Sequence, residues 1–234
     1  MTEIELLRSA VGTLNRMLDN ARPQDIIAEA LRSVPDGRLA TVSSFGTESA
    51  VLLKFVADVD PAIPVLFIDT GWLFEETIAY RRTLAERLGL RDIRTLHPDT
   101  GTMQREDPER DLWFRDPDAC CGIRKVAPLS AALRGFDGWL NGRKRFHGNE
   151  RAGLAVVEAD GERLKFNPLA NLAHEELQGL FEKFDLPRHP LEQKGFSSIG
   201  CMPCTSRTKA GEDVRAGRWR DRGKTECGIH VALK

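Results

Sequence analysis

The chain has 234 residues, of which 41% are hydrophobic and 29% charged; 34 Lys and Arg against 35 Asp and Glu leave a net charge of -1. This composition excludes a disordered chain, and the balanced charge argues against a general nucleic-acid binder, which needs a large positive field. No apolar run approaches the roughly 20 residues of a membrane span, and the N-terminus resembles no signal peptide. We therefore expect a soluble, cytoplasmic protein with no membrane or nucleic-acid partner.

Apolar residues recur at helical spacing between positions 4 and 18 and between positions 26 and 34, which predicts a helical N-terminal extension of residues 1–35. After Gly37, short apolar runs alternate with helical patterns. The predicted strands are 38–43, 63–69, 92–96 and 138–142, and the predicted helices between them include 48–59 and 75–88. This alternation indicates βαβ units, so the predicted fold class is α/β with a Rossmann-like parallel sheet.

The composition changes after about Pro190. Residues 195–234 are rich in Gly and Arg, have little apolar periodicity and contain three of the five cysteines. Such a segment cannot bury a core of its own, so we divide the chain into an α/β nucleotide-binding domain, 1–194, and a C-terminal segment, 195–234, that packs on it. Glycines at 217, 223 and 228 predict that the end of this segment is flexible and little buried.

The first predicted strand leads into a helix through the turn Ser43–Ser49. Small residues at a helix N-terminus let backbone N–H groups approach an anion. The spacing S-x-G-x-[DE]-S resembles the pyrophosphate loop of adenine-nucleotide α-hydrolases, with Phe45 in place of a glycine and Glu48 in place of an aspartate. We predict a phosphate or sulfate site that does not split ATP, with a purely structural serine cap as the alternative. Its residues are Ser44, Phe45, Gly46, Glu48 and Ser49.

The second predicted strand ends in Asp69, Thr70 and Gly71. Ligands of parallel sheets bind beyond the carboxyl ends of the strands, where these groups can accept hydrogen bonds from a ribose or an adenine. The alternative is an ordinary helix N-terminus with acidic residues in its first turn.

The five cysteines form a tandem pair, Cys120 and Cys121, a CxxC pair, Cys201 and Cys204, and a lone Cys227. An odd count without an export signal is a poor disulfide framework. Adjacent cysteines diverge too much for one small tetrahedral ion but suit the corners of a wider cluster. The two pairs therefore predict a [4Fe–4S] cluster. Zinc is the second choice, and a thioredoxin-like dithiol at the CxxC pair is the third.

Cys227 lies between Lys224 and His230, in a segment of glycines and charges that favours exposure. A thiol beside cationic groups has a lowered pKa and suits a mobile nucleophile, whereas a structural role would need burial. Arginines crowd two glycine-rich segments, and their guanidinium groups suit phosphate and sulfate oxygens. They are Arg143, Arg145 and Arg151, then Arg215, Arg218, Arg220 and Arg222.

Four motifs together resemble one family. CCGIRKVAPL begins at Cys120, SIGCMPCT at Ser198, RAGRW at Arg215 and KTECGIH at Lys224. With the Ser-Phe-Gly and Asp-Thr-Gly turns, they are similar, in the same order, to elements of the assimilatory iron–sulfur adenylyl-sulfate (APS) reductases of the PAPS/APS reductase family. The family usually has leucine where this chain has Ile229, a volume-conserving difference.

The resemblance implies reduction of adenosine 5′-phosphosulfate (APS) to sulfite and AMP in sulfate assimilation and cysteine biosynthesis. It implies that Cys227 attacks the sulfate sulfur, and that thioredoxin or a glutaredoxin-like dithiol releases sulfite from the resulting S-sulfonate. It assigns the two cysteine pairs to the cluster and the two turns to the nucleotide. The residues it implies around the phosphosulfate are Lys125, Arg143, Arg215, Arg218 and His230.

Three alternatives stay open on the sequence. The 3′-phosphoadenosine 5′-phosphosulfate (PAPS) reductases share the tail cysteine but typically lack both cysteine pairs, and some cluster-bearing members accept both nucleotides. A ligase that splits ATP would use a similar loop, but Phe45 in place of a glycine argues against this activity. A non-catalytic iron–sulfur or zinc protein would leave Cys227 and the arginines without a role. A homo-oligomer is compatible with each of these.

Overall fold

The computed structural model describes residues 2–148 and 151–230. Its centre is a six-stranded sheet of order β3-β2-β1-β4-β6-β5, in which every neighbouring pair is parallel except β5 and β6. The strands are β1 (Leu39–Val42), β2 (Val65–Ile68), β3 (Ile93–Leu96), β4 (Gly138–Leu140), β5 (Val157–Asp160) and β6 (Arg163–Phe166). The predicted α/β class is confirmed, and the four predicted strands are present but one to three residues shorter.

Helices pack on both faces of this sheet. They are α1 (Glu3–Leu18), α2 (Pro23–Ser33), α3 (Ser49–Val59), α4 (Glu75–Leu88), α5 (Thr100–Glu106), α6 (Leu112–Arg115), α7 (Pro117–Cys121), α8 (Ala127–Leu133) and α9 (His174–Lys183). The two N-terminal helices and the helices after β1 and β2 are those that the apolar spacing predicts. Thr2 and Glu5 form a capping box at the start of α1. None of the helices in the described ranges is long and apolar enough to span a membrane.

Alternating residues of β1 and β2 enter two cores. Leu39 and Phe67 pack with residues of α2 and α3, whereas Ala40 and Leu66 pack on the opposite face with α8 and Trp139. Burial on both faces is typical of parallel strands, which is why these strands are continuous apolar runs in the sequence.

The β5–β6 hairpin was absent from the strands predicted by the sequence. Its strands alternate charged and apolar residues, and two of the charged side chains, Asp160 and Lys165, are buried. Asp160 accepts a hydrogen bond from the indole of Trp139 at 2.9 Å. A partner on β4 therefore compensates the burial of this carboxylate, and short-range sequence patterns do not reveal such a partner.

The sheet order reverses between β1 and β4. The chain leaves β1 through α3 toward β2 on one side, whereas β4 pairs with β1 on the other side. The loops after β1 and β4 therefore diverge and leave a crevice at the carboxyl edge of the sheet, where α/β folds bind their ligands.

A single helical stretch joins α7 to α8 through a π-helical turn, Gly122–Val126. The residues at both junctions keep right-handed helical angles, so the backbone direction is preserved. Turns of this kind are frequent at functional sites. Here Cys120 and Cys121 end α7, while Arg124 and Lys125 lie on the π-helical turn.

The C-terminal segment packs on the rest of the chain, and its described end is more buried than the glycines predict. Ser206 N donates to the Gly217 carbonyl at 2.8 Å, and a Cβ on Gly217 would lie 2.2 Å from the Ser206 carbonyl oxygen. Gly217 therefore permits a close backbone approach. The expectation of little burial is wrong, because Trp219 and Cys227 are only 3% and 8% exposed. Residues 231–234 of this segment lie outside the described residues.

Asn15 of α1 protects the edge of the sheet. Its side-chain amide donates to the Val157 carbonyl at 2.8 Å and accepts from the Val157 N–H at 3.0 Å. We expect Asn15→Ala to lower the free energy of unfolding by about 1–3 kcal/mol, because it leaves both edge groups unsatisfied. Urea denaturation measures this, with Arg8→Ala on the exposed face of α1 as a control expected within about 0.5 kcal/mol of wild type. Equal effects of the two variants would contradict the assignment.

Candidate active site

A cavity of about 200 Å³ lies at the carboxyl edge of the sheet, between the loops after β1 and β4 and the C-terminal segment. Its walls combine residues from distant parts of the sequence. The predicted site residues that line it are Ser44, Gly46, Glu48, Ser49, Thr70, Lys125, Arg143, Cys201, Arg215, Arg218, Cys227 and His230.

Three predicted substrate residues are not part of the lining that the described residues form: Phe45, Asp69 and Gly71. The Phe45 side chain is fully buried, with its ring 5.4 Å from that of Phe67. Its backbone φ of 48° lies in the left-handed region that favours glycine, so Phe45 shapes the loop from within the core. The Asp69 carboxylate accepts from the Gly71 N–H at 2.9 Å and shapes the second turn in the same way.

Glu48, at the residue before α3, lies close to two basic side chains of the loop after β4. It forms a buried ion pair with Lys144 and lies 3.0 Å from His147 Nε2. Burial raises the pKa of Glu48, but Lys144 and His147 outweigh it, and the net pKa falls well below the usual range. Glu48 therefore neutralises the protein's own Lys144. The sequence interpretation missed Lys144 and His147, for which the signal is the basic run between Gly142 and Gly148.

Arg143 is also paired within the protein. Its guanidinium forms an ion pair with Glu158 of β5 and a 3.3 Å hydrogen bond to Asn141. Burial lowers the pKa of Arg143, while Glu158 acts in the opposite direction. The β5–β6 hairpin, which short-range patterns do not predict, thus supplies the counter-ion for a predicted site residue.

Arg218 and His230 bring unsatisfied polar atoms to the cavity. Arg218 Nη1 donates to the Ile199 carbonyl at 3.2 Å, and its guanidinium lies 4.4 Å from the centre of the Trp219 ring. Arg218 Nε and His230 Nδ1 are buried without a hydrogen-bond partner among the described residues. Burial lowers the pKa of His230, helped by the charge of Arg143, so this imidazole is neutral near pH 7. Buried polar atoms of this kind are expected to meet a ligand or water.

The two cysteine pairs surround one small cavity beside the active-site cavity. Cys120, Cys121, Cys201 and Cys204 all line it, as do Arg124 and Lys125, and all four thiols are free. Burial raises the pKa of Cys120 to about 11, and the Thr70 hydroxyl lies 3.2 Å from Cys201 Sγ. Within residues 2–148 and 151–230, no three Cys, His, Asp or Glu side chains converge closely enough to hold one metal ion. Four thiols beside two cations form a donor set suited chemically to an iron–sulfur cluster.

Cys227 lies against Cys121 and Trp219 in the closed C-terminal segment. A hydrogen bond from Cys121 lowers the pKa of Cys227, with help from Lys125 and against the effect of burial. Burial would lower the pKa of Lys125, but its electrostatic interactions with the surrounding thiol groups, Cys227 among them, raise it instead. Lys125 therefore remains a cation between the cysteine pairs and the lone thiol.

Comparison with known proteins agrees with this geometry. The family model described as "Phosphoadenosine phosphosulfate reductase domain" matches residues 38–207. The chain belongs to this reductase family. It is 46% identical to an adenosine 5′-phosphosulfate reductase of Chelativorans sp., over 91% of this chain and 89% of that one. It is 39% identical to a phosphoadenosine 5′-phosphosulfate reductase of Gloeobacter violaceus, over 93% and 92%.

The fold agrees with a solved member of the same family. A crystal structure of phosphoadenylyl-sulfate reductase from Candida auris in complex with phosphate superposes with a TM-score of 0.71 at 23% identity, covering 84% of this chain and 96% of that chain. At that identity, the likeness establishes the fold alone.

In this member of the reductase family, Arg124 connects the cysteine-bearing helix to the turn after β2. It donates to Asp107 Oδ2 at 2.7 Å and to the Thr70 carbonyl at 2.8 Å, and the ion pair is almost fully buried. Burial would raise the pKa of Asp107, but hydrogen bonds from Arg124 and the Leu112 N–H lower it. Arg124 thereby holds the Cys120–Cys121 pair and the Thr70 turn in a fixed relation.

We expect Arg124→Met to lower the free energy of unfolding by about 3–5 kcal/mol, because it leaves the Asp107 carboxylate buried without a counter-ion. Adding Asp107→Asn should recover part of this loss, since it removes the orphaned charge. Urea or thermal denaturation measures both. Arg115→Met, which breaks the exposed pair with Asp111, is the control and should cost less than about 1 kcal/mol. No recovery in the double variant would refute the pairing.

Proposed function

We propose that this protein reduces APS to sulfite and AMP with electrons from a protein dithiol, thioredoxin or a glutaredoxin-like protein, in cytoplasmic sulfate assimilation. One observation carries the proposal: the thiol of Cys227 faces the same cavity as the loop after β1 and the cations Lys125 and Arg218. Family membership and relatives named adenosine 5′-phosphosulfate reductase support the substrate class. Five unpaired cysteines suit a reducing compartment.

The distribution of counter-ions supports an anionic substrate. Arg143, Lys144 and Arg215 each pair with a carboxylate. Lys125 and Arg218, by contrast, form no ion pair with a carboxylate in the part of the chain that the structure describes. Two cations without a carboxylate partner in this cavity favour a ligand that carries negative charge beside Cys227.

In the first step, the Cys227 thiolate attacks the sulfur of the sulfate group. An S–S bond forms, the bond from sulfur to the bridging oxygen breaks, and AMP leaves with that electron pair. Lys125 and Arg218 counter the charge of the sulfate oxygens and of the departing phosphate, while the unsatisfied Nδ1 of His230 offers a further hydrogen bond. The product on the protein is Cys227 S-sulfonate.

In the second step, a thiolate of the partner dithiol attacks Cys227 Sγ, and sulfite leaves with the electrons of the S–S bond. The second partner thiol then displaces Cys227 from the mixed disulfide. The dithiol becomes a disulfide, and Cys227 regains its thiol. Both electrons therefore come from thiols. Because Cys227 is buried, the C-terminal segment must open between the two steps.

We assign Cys120, Cys121, Cys201 and Cys204 as the ligands of a [4Fe–4S] cluster, with zinc as the second choice. When bound, the cluster supplies a fixed electrostatic environment next to Lys125 and does not change the electron count above. The family relatives carry both nucleotide names. The two cysteine pairs favour APS over PAPS, and a PAPS-specific or dual-specificity enzyme is the alternative.

Metal analysis tests the assignment of the cysteines. The purified protein should be brown and contain about four irons per chain, and Cys→Ser at any of the four assigned ligands should lower the iron content. Cys227→Ser is the matched control and should retain the iron and its visible absorbance. Colourless, active protein with one zinc per chain, or loss of iron from Cys227→Ser, would overturn this partition.

Mass spectrometry tests the chemistry. Incubation with APS and no dithiol should add about 80 Da to Cys227, the mass of an SO₃ group, and thioredoxin should then release sulfite. Cys227→Ser should form no adduct. The same assay with PAPS measures nucleotide preference, and ATP should yield no pyrophosphate. Consumption of APS without an adduct would replace this mechanism with direct attack by the reductant.

A further inference from the structure

Glu226, the residue before Cys227, forms the buried ion pairs of the C-terminal segment. Its carboxylate accepts two hydrogen bonds from Arg151, at 2.6 and 2.9 Å, and lies 3.3 Å from Arg215 Nη2. One of its oxygens also accepts from the Cys227 N–H at 2.9 Å. The carboxylate thus connects the backbone of Cys227 to Arg151 in the loop after β4 and to Arg215 in its own segment.

Arg151 lies in the loop after β4 and contacts another residue of that loop. Its Nη1 lies 3.0 Å from His147 Nδ1, and His147 Nε2 lies 3.0 Å from Glu48. A guanidinium can only donate, so His147 Nδ1 accepts and its Nε2 carries the proton. That Nε2 lies close to the Glu48 carboxylate without hydrogen-bond geometry, so a series of close polar contacts, not all of them hydrogen bonds, runs from the start of α3 to the backbone of Cys227.

Two other ion pairs of the segment are more accessible to solvent. Lys224 pairs with Asp118, whose side chain is 83% exposed, and Arg220 pairs with Glu212, whose side chains are 34% and 26% exposed. Exposed pairs of this kind contribute little to stability. Arg151 and Glu226 are 9% and 11% exposed, so separating them leaves charges in a medium that solvates them poorly.

We propose that Glu226 is a positioning residue: its pair with Arg151 closes the C-terminal segment, its pair with Arg215 orders the end of that segment, and the two together set Cys227 in the cavity. The contacts through His147 tie this closure to Glu48 and hence to the loop after β1. The consequence for catalysis rests on the proposed function. The closure itself is a property of the free protein and is measurable without substrate.

Alkylation of Cys227 by iodoacetamide, followed by peptide mass mapping, measures closure in the purified holoprotein. Glu226→Gln keeps the shape of the side chain and removes its charge, so Cys227 should react at least about tenfold faster than in wild type. Arg151→Gln should act similarly. The alkylation rate of the double variant should be close to that of either single variant, because each single variant already removes the interaction that the two residues share. Glu212→Gln breaks an exposed pair of the same segment and should leave the rate unchanged.

Two further variants sharpen this test. Glu226→Asp keeps the charge and should restore part of the protection of Cys227 against iodoacetamide. A loss of packing alone would not explain such a recovery. His147→Leu should raise the alkylation rate about threefold or more if the loop after β1 helps to hold the segment closed. If Cys227 is alkylated as slowly in Glu226→Gln and Arg151→Gln as in wild type, the proposal is overturned. If only His147→Leu keeps the wild-type alkylation rate, the link to the loop after β1 is overturned.

Kinetics separate positioning from binding. In single turnovers with APS, Glu226→Gln should slow formation of the Cys227 adduct at least about tenfold, while the KM for APS changes less than about threefold. A change confined to KM would contradict a positioning role. If alkylation responds as expected but wild-type protein forms no adduct, the proposed function fails and the closure stands. If the wild-type adduct forms but the variants leave the alkylation rate unchanged, the proposed function stands and the closure by Glu226 fails.

Discussion

The free energy cost of burying charge determines how this active site is built. Four carboxylates neutralise the cations packed around it, each supplied by a different segment. The pairs are Glu48 with Lys144, Asp107 with Arg124, Glu158 with Arg143, and Glu226 with Arg151. A buried pair contributes little net stability but costs much to break, so these contacts hold segments in a defined arrangement more than they stabilise the fold. Lys125 and Arg218 have no carboxylate partner within the described ranges, and the proposed function assigns them to the ligand.

The sheet topology makes that arrangement possible. Because the strand order reverses between β1 and β4, their loops diverge and leave a crevice that the C-terminal segment covers. The π-helical turn then brings Lys125 to the cavity from the same helix that carries Cys120 and Cys121. The cysteine pairs, the lone thiol and the loop after β1 therefore come together at neighbouring cavities, although they lie far apart in the sequence.

The C-terminal segment shows how composition alone misleads. Its glycines and charges are typical of an exposed, flexible tail, yet Trp219 is buried and Gly217 permits a close backbone approach to Ser206. Several of these charges are paired, and Gly217 lies where a Cβ would clash with Ser206, so the composition reflects packing as well as solvation. Under the proposed function, opening of this segment would break specific contacts, chief among them the buried pair of Glu226 with Arg151.

The sequence by itself determined the α/β class, the positions of β1 to β4, the division of the cysteines into two pairs and a lone thiol, and membership of the reductase family. These follow from local periodicity and from motifs of contiguous residues. Only the tertiary structure decided that Phe45 belongs to the core, that the charged β5–β6 hairpin exists, and that Cys227 is buried. It alone revealed the pairs of Glu48 with Lys144 and of Glu226 with Arg151, whose partners lie 96 and 75 residues apart. Which charge compensates which depends on distances that the folded backbone sets, and no local pattern encodes them.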